Sequence, residues 1–170
     1  MFKSDTQDEA ATVAGLFEQY HGAVFAYLFR LLNDRERAHD LAQDVFLQLF
    51  RYRAKLADVE NERAWLYRIA SNLAFNALKR ERRFAWLPWR YEDTFHWQES
   101  GPETQVAEET AVAQALHQLP PNYRAPLLLY SRYDFSVREI AMVLDISEGA
   151  VKNRLWRARE MFRQVYERDE

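Results

Sequence analysis

The segment at residues 136–162, SVREIAMVLDISEGAVKNRLWRAREMF, constrains the fold more than any other part of the chain. Ser136 and Glu139 have the spacing of a capping box, in which a hydroxyl and a carboxylate satisfy each other's backbone amides at a helix start. Asp145 interrupts that helix, and Ser147 is positioned to cap a second one. An apolar stripe then recurs at helical spacing, at Val151, Leu155, Ala158 and Phe162. Together these features predict a helix-turn-helix.

The outward face of the second predicted helix is basic. Its members are Lys152, Asn153, Trp156, Arg157 and Arg159. In a major groove, Lys and Arg hydrogen-bond to guanine edges and Asn to adenine, so this face suits double-stranded DNA. A solvated amphipathic helix is the alternative for a basic face taken alone. The capping box, the short turn and the second amphipathic helix together favour DNA.

Charge is distributed unevenly along the 170 residues, whose formal net charge is -3. Residues 65–90 hold six basic side chains against one acid, and residues 152–163 hold five against one. Between these patches, residues 91–118 hold six acids and no Lys or Arg. A phosphate backbone responds to local rather than total charge. The pattern favours two nucleic-acid-binding patches and a compact, partly autoinhibited free chain.

Composition excludes several classes of protein. The sequence has no cysteine, which rules out disulfides and thiolate metal sites and suits a reducing compartment. Residues 1–5 lack the pattern of a signal peptide, and no apolar run has the length of a membrane span. The four histidines lie far apart, without a metalloprotease motif or a phosphate-binding loop. We therefore expect a cytoplasmic protein without membrane insertion, catalytic site, metal or cofactor.

Periodicity and turn residues predict an all-α fold with two small helical domains joined by a flexible linker. Residues 1–85 form the predicted N-terminal helical bundle, residues 86–110 the linker, and residues 111–170 the domain with the helix-turn-helix. Four glycines and five prolines in the whole chain suit long helices. The linker is acidic and rich in aromatic residues, and some of these aromatic side chains are expected to pack on another surface.

The bundle is predicted to contain three helices, the first ended by Asn33 and the last beginning near Asn61. The second of them has two distinct faces. Its predicted core face consists of Ala38, Leu41, Ala42, Val45, Leu49 and Phe50. The opposite face carries Asp40, Gln43 and Asp44. In the C-terminal domain, Pro126 predicts a helix that begins late or kinks, because it removes a backbone hydrogen bond.

Four blocks of the sequence, taken in order, resemble the bacterial RNA polymerase sigma factors of the extracytoplasmic function group. They are AHDLAQDVFLQLF, AWLYRIASNLAFNALKR, LPPNYRAPLLLY and SVREIAMVLDISEGAVKNRLWRARE. The blocks cover most of the chain outside the linker and the extreme termini. The resemblance implies a factor that binds core RNA polymerase through its β′ clamp and β subunits and directs promoter-specific initiation. It also implies control by an anti-sigma factor.

The family's roles carry over to matching positions in the first domain. The resemblance implies that Asp40, Gln43 and Asp44 dock on the coiled coil of the β′ clamp, although a salt bridge within the domain is an alternative for Asp40. Residues 56–65 and the helix that follows would open and read the minus-ten element. Extruding a base requires amides and aromatic rings beside a basic track. The residues implied are Trp65, Asn72, Asn76, Lys79, Arg80, Arg82 and Arg83.

Two of these assignments have alternatives. Trp65 also suits the core of the bundle, from where it would shape the wall of a base pocket. Asn76 stands where the family often has Asp, which leaves its contact open.

In the second domain, the resemblance implies that Lys152, Asn153, Trp156 and Arg157 reach the minus-thirty-five element. Arg154 and Arg159 would then contact phosphates. The sequence departs from the family pattern at Asp145, where glycine is common, and at Ala150, where threonine is usual. Asp tolerates a left-handed backbone better than most residues, so the turn is expected to form.

An ordinary helix-turn-helix transcription regulator is the alternative function. Such a regulator would form a homodimer and bind a palindromic site without polymerase. A sigma factor would instead be a monomer when free and would bind its promoter tightly only with core polymerase.

Overall fold

The computed structural model describes residues 2–84 and 105–167, with side chains for residues 9–82 and 111–167. Within these ranges the chain is helical and has no strand, which confirms the predicted all-α class. The elements, in chain order, are α1 (Phe2–Leu32), α2 (Arg35–Arg51), a 3-10 helix (Arg53–Asp58), α3 (Glu62–Phe84), α4 (Gln105–Gln118), α5 (Pro121–Ser131), α6 (Val137–Leu144) and α7 (Glu148–Tyr166).

The N-terminal bundle consists of α1, α2, the 3-10 helix and α3, packed around an apolar core. Asn33 ends α1 in a left-handed conformation with φ 55°. The carboxylate of Asp34 then caps α2 by accepting the Arg37 backbone N–H at 3.0 Å. The apolar residues of α1 recur at helical spacing and face the core: Leu16, Val24, Tyr27, Leu28 and Leu31 are buried, and Tyr20 is partly buried beside them.

One predicted core residue of this bundle is exposed. Phe50 was expected beside Val45 and Leu49, but 47% of its surface is accessible. It lies in the last turn of α2, where the chain turns into the 3-10 helix. The Arg53 guanidinium lies 4.5 Å from the centre of its ring, so a cation rather than the core covers one face.

The helix-turn-helix prediction is confirmed in α6 and α7. Both hydrogen bonds of the Ser136–Glu139 capping box are present. Asp145 ends α6 in the left-handed conformation with φ 54° and ψ 50°. Ser147 Oγ then caps α7 by accepting the Ala150 backbone N–H at 3.1 Å. Local rules of capping and turn geometry therefore set the angle between α6 and α7.

Two expectations for the second half of the chain require correction. α5 begins at Pro121 and continues through Pro126, so the predicted late start is wrong. Pro126 is buried inside α5, where its ring removes one backbone hydrogen bond without ending the helix. α4 begins at Gln105, so residues 105–110 of the predicted linker have a helical backbone. Residues 86–104 of that linker lie outside the described residues.

The two domains share one continuous apolar core. Tyr27 and Tyr67 from the N-terminal bundle pack against Tyr133 and Phe135, which lie between α5 and α6. Burial raises the pKa of Tyr27, Tyr67 and Tyr133, so these phenols stay uncharged. No described helix combines the length and apolar character that crossing a membrane requires.

The buried side chain of Arg124 connects the start of α5 to the ends of α1 and α4. The Arg124 guanidinium donates hydrogen bonds to the carbonyls of Leu116 at 2.8 Å, Leu119 at 2.8 Å and Leu31 at 2.7 Å, and also to that of His117. Burial lowers the pKa of Arg124 to about 10, so it remains a cation near neutral pH. It therefore supplies hydrogen-bond donors to backbone carbonyls at the end of α4 and connects α5 to the end of α1.

We expect Arg124→Met to lower the free energy of unfolding by about 2–4 kcal/mol, because it leaves several buried carbonyls without a donor. Arg124→Lys should recover only part of this loss, because an ammonium group lacks the planar fork of donors. Urea unfolding followed by circular dichroism measures both. Arg138→Met, an exposed arginine on α6, is the control and should stay within about 0.5 kcal/mol of wild type. Equal stability of Arg124→Met and the control would contradict the assignment.

His117 predicts a pH dependence of stability. Burial, followed by the charge of Arg124, lowers its pKa from 6.5 to about 4. Between these values the unfolded chain binds a proton that the folded chain excludes, so stability is complete above pH 6.5 and falls as the pH drops towards 4. Urea midpoints at pH 7.5, 6 and 5 should fall less steeply for His117→Leu than for wild type. Parallel slopes would show that other groups control acid unfolding.

Candidate nucleic-acid interfaces and docking face

The outer face of α7 presents the predicted base-reading residues together. Lys152, Asn153, Trp156 and Arg157 are exposed, and Trp156 has 65% of its surface accessible. Because most of this indole is exposed, its burial contributes little to the stability of the fold. Within the described part of the chain, no ion pair involves Lys152 or Arg157. The face is therefore free to contact an anionic partner.

The two predicted phosphate contacts of α7 lie at the margins of that face. Arg159 is exposed, and its guanidinium lies 5.2 Å from the centre of the Tyr130 ring, which limits its freedom. Arg154 is half-buried at the opposite margin. Arg163 pairs with Glu160 at 2.8 Å, so it is partly neutralised. The buried residues Val151, Leu155 and Ala158 hold α7 against its domain.

A second polar surface follows one side of α3. Asn72, Asn76, Lys79 and Arg80 are exposed there at helical spacing. At 1.5 Å per residue, the stretch from Asn72 to Arg80 is about 12 Å long. Arg82 is also exposed, whereas the Arg83 side chain lies outside the described residues. The acid within this basic cluster, Glu81, pairs with Arg37 of α2. The surface thus offers amide groups first and cations further along.

An aromatic wall adjoins the start of that surface. Trp65 is half-buried against the core, and its ring meets Tyr52 edge-on with 6.3 Å between centroids. Lys55 Nζ lies 5.7 Å from the centre of the Tyr52 ring. Leu56, 4% exposed, anchors the 3-10 helix below. Sequence reasoning missed Tyr52, although an aromatic residue three positions before Lys55 at a helix end was an available signal.

The outward side of α2 forms a separate surface with different chemistry. Asp40, Gln43 and Asp44 are exposed, as predicted. Neither acid forms an ion pair with another described residue, which removes the salt-bridge alternative for Asp40 within that part of the chain. Leu47, one turn further along, is 55% exposed and was not predicted as part of this face. We call these four residues the α2 face. Polar groups around one exposed leucine suit contact with another helix.

Comparisons with known proteins match the chain in two parts. Residues 16–84 match the family model "Sigma-70 region 2", and residues 109–162 match "Sigma-70, region 4". The chain is 30% identical over 153 residues to the RNA polymerase sigma-H factor of Pseudomonas aeruginosa, covering 84% of this chain and 79% of that protein. It is 27% identical over 157 residues to the sigma factor SigZ of Bacillus subtilis, covering 91% of this chain and 87% of that protein.

Two solved structures resemble the fold. CnrH, in complex with the cytosolic domain of CnrY, matches with a TM-score of 0.69 and 25% identity, covering 98% of this chain and 97% of that one. The Bartonella quintana sigma factor RpoE, in complex with the anti-sigma factor NepR, matches with a TM-score of 0.74 and 20% identity. It covers 92% of this chain and 98% of that one, and shows the likeness of fold alone.

The fold and its surfaces define a class, a helical transcription factor with a helix-turn-helix and a separate bundle. The family matches make the assignment specific. The chain belongs to the RNA polymerase sigma factors of the extracytoplasmic function group, which initiate transcription. We refer to the N-terminal bundle as region 2 and to the α4–α7 domain as region 4.

Proposed function

We propose that this sigma factor docks on core RNA polymerase through the α2 face and binds promoter DNA through α3 and α7. The observation that carries the proposal is the separation of chemistries on one small chain. An acidic face with an exposed leucine lies on α2, and basic faces with exposed amide and indole groups lie on α3 and α7. The division proposed is region 2 at residues 1–85 and region 4 from the start of α4 at residue 105 to residue 170, with the linker predicted at 86–110 shortened accordingly.

Docking on polymerase is assigned to Asp40, Gln43 and Asp44, with Leu47 among them. The proposed partner is the coiled coil of the β′ clamp, and region 4 would approach the β subunit. A helix with an apolar centre and polar margins packs on a partner helix, and its charges set the register of docking. The exposure of all four side chains supports this role.

The minus-ten element is assigned to α3 and the aromatic wall beside it. Asn72 and Asn76 can hydrogen-bond to the edges of an unstacked base, and Trp65 and Tyr52 supply aromatic surface beside it. Lys79 and Arg80 neutralise the backbone further along the helix, together with Arg82 and Arg83. An edge-on pair of rings next to exposed amides supports a pocket for single-stranded rather than duplex DNA.

The minus-thirty-five element is assigned to α7 in a major groove. Contacts with base edges and thymine methyl groups are assigned to Lys152, Asn153, Trp156 and Arg157. Contacts with phosphates are assigned to Arg154 and Arg159. The exposed indole of Trp156 supports this role more strongly than the charge does, because basic helical faces are common on solvated surfaces.

We also propose that a separate anti-sigma factor controls this chain, which would act as a cytoplasmic monomer without catalytic activity. Support comes from CnrH, whose solved structure is a complex with the cytosolic domain of CnrY. The fold of CnrH matches nearly the whole of this chain. The alternative is a homodimeric regulator, which would be a dimer rather than a monomer when free.

Gel filtration with and without bacterial core RNA polymerase tests docking directly. We expect the free chain to elute as a monomer and to co-elute with core. Gln43→Ala combined with Asp44→Ala should reduce retention on core about tenfold or more, because it removes a polar pair from the α2 face. Glu18→Ala with Gln19→Ala, an exposed acid and amide on α1, is the matched control. A homodimer indifferent to core, or equal retention of both double variants, would refute the docking assignment.

Promoter readout distinguishes base contacts from phosphate contacts. We expect Arg157→Ala to cost about 1–3 kcal/mol and to relax preference at one position of the minus-thirty-five element. Arg80→Ala should instead weaken all promoters by similar amounts and reduce the salt dependence of binding. Sequences selected from a random library by wild-type and variant holoenzymes measure both effects. A uniform loss from Arg157→Ala would remove it from the base-reading set.

A further inference from the structure

The first turns of α1 extend the N-terminal bundle beyond the part that matches the family. The match to the region 2 model begins at residue 16, whereas α1 begins at Phe2, so about four helical turns precede the match. We call residues 2–15 the α1 extension. Its Val13 is 8% exposed and belongs to the same core as Leu56 of the 3-10 helix, which packs against α1. The extension is therefore part of the folded bundle.

An ion pair joins the α1 extension to the 3-10 helix. Glu9 Oε2 lies 3.6 Å from Arg53 Nε, and the two side chains are only 31% and 30% exposed. Arg53 Nε is buried and donates no hydrogen bond within the described part of the chain. Burying part of a guanidinium without an acceptor is costly, so the charge of Arg53 at this point depends on the carboxylate of Glu9.

Arg53 also contacts the end of α2, on the other side of Tyr52 in the chain. Its Nη1 donates a hydrogen bond to the Phe50 carbonyl at 3.0 Å, and its guanidinium lies 4.5 Å from the centre of the Phe50 ring. Arg53 is itself the first residue of the 3-10 helix. The position of its guanidinium therefore constrains the backbone on both sides of Tyr52.

Tyr52 is the member of the aromatic wall that depends on this backbone. Its ring is 47% exposed and meets Trp65 edge-on with 6.3 Å between centroids. An exposed ring has few core contacts to hold it, so the course of the chain from Phe50 to Arg53 largely sets where it lies. Under the proposed function, this ring lies beside an unstacked base. A shift of the 3-10 helix would therefore change the DNA-reading site.

A cleft beside the 3-10 helix gives it room to shift. The cleft has a volume of about 280 Å³, and its lining includes Glu9, Arg53, Leu56 and Glu62. Protein interiors leave few such spaces, and an open space supplies no packing contacts to the backbone next to it. Glu62 forms no ion pair with another described residue. The Glu9–Arg53 pair therefore matters more for the position of the 3-10 helix than it would in a filled interface.

We infer that Glu9 is a positioning residue for minus-ten recognition, which holds the 3-10 helix through Arg53 and so keeps the Tyr52 ring beside Trp65. The inference rests on the proposed function for its DNA step. The structural step rests on the ion pair and on the contacts of Arg53 with Phe50. Positioning and charge have opposite consequences, because an acid near a DNA-binding surface would by its charge alone weaken binding.

Amide hydrogen exchange of the free chain tests the structural step. Glu9→Gln keeps the size of the side chain and removes its charge. We expect it to speed exchange in residues 53–59 about fivefold, because local opening of the 3-10 helix becomes easier. One bond that opening breaks runs from the Lys55 N–H to the Tyr52 carbonyl, at 2.9 Å. Exchange in α6 and α7 should not change. Glu18→Gln, an exposed position of α1, is the matched control and should leave both parts of the chain unchanged.

Binding of holoenzyme to a fork-junction DNA tests the DNA step. The fork carries, as a single strand, the minus-ten sequence that the wild-type holoenzyme selects, and it has no minus-thirty-five element. Glu9→Gln should weaken binding about threefold to fivefold, although it removes an acid, whereas Glu18→Gln should not weaken it. Arg53→Met should weaken binding at least as much. The double variant should bind as Arg53→Met does, because Glu9 acts through Arg53.

Each measurement has a result that would overturn the inference. Unchanged exchange in residues 53–59 of Glu9→Gln would show that the ion pair does not hold the 3-10 helix. Tighter DNA binding by Glu9→Gln would show that Glu9 acts on DNA by its charge alone. Losses that multiply in the double variant would show that Glu9 acts independently of Arg53. A wild-type holoenzyme that selects no minus-ten sequence would instead refute the proposed function, while exchange would still decide whether Glu9 holds the 3-10 helix.

Discussion

The insertion of Tyr133 and Phe135 between Tyr27, Tyr67 and Arg63 is the contact on which the arrangement of this chain depends. Without it, region 2 and region 4 would be two small bundles, each with a modest core. With it, buried rings from both domains form one apolar cluster. The same contact fixes where the helix-turn-helix lies, because α6 follows Phe135 directly and its turn then meets Arg68.

The buried part of the contact consists of aromatic rings, and its polar edge lies at Arg68, on the side of α3 that is proposed to bind DNA. Buried aromatic pairs and a cation over a ring contribute more than an ion pair in water, and Arg68 and Asp145 have side chains that are 43% and 80% exposed. The Arg68–Asp145 pair can therefore separate at little cost, whereas full separation of the domains requires loss of the aromatic packing. Separation of the Arg68–Asp145 pair is a local change, whereas separation of the domains moves the whole of region 4.

Much of this could be predicted from the sequence wherever local rules decide the structure. The capping box, the left-handed Asp145 and the cap at Ser147 involve residues close in the chain, and helical periodicity placed Asp40, Asp44 and Arg157 outside, whereas Asn72 came from the family resemblance. The errors at Phe50 and at the start of α5 arose where packing overrides propensity. The contacts of Arg124, Arg63 and Arg30 could not be predicted, because they join residues as much as 103 positions apart through geometry that no local pattern encodes.

Under the proposed function, packing of region 4 on region 2 in the free chain would make recognition of the two promoter elements cooperative. Whichever element binds first stabilises the open chain, so the second domain binds without the opening cost, and neither site needs a direct link to the other. Docking of the α2 face on polymerase would act in the same direction if it holds region 4 away from α3. The chain would then discriminate against isolated minus-ten-like strands, since one weak contact cannot offset the lost aromatic packing, whereas two elements and a polymerase surface acting together can.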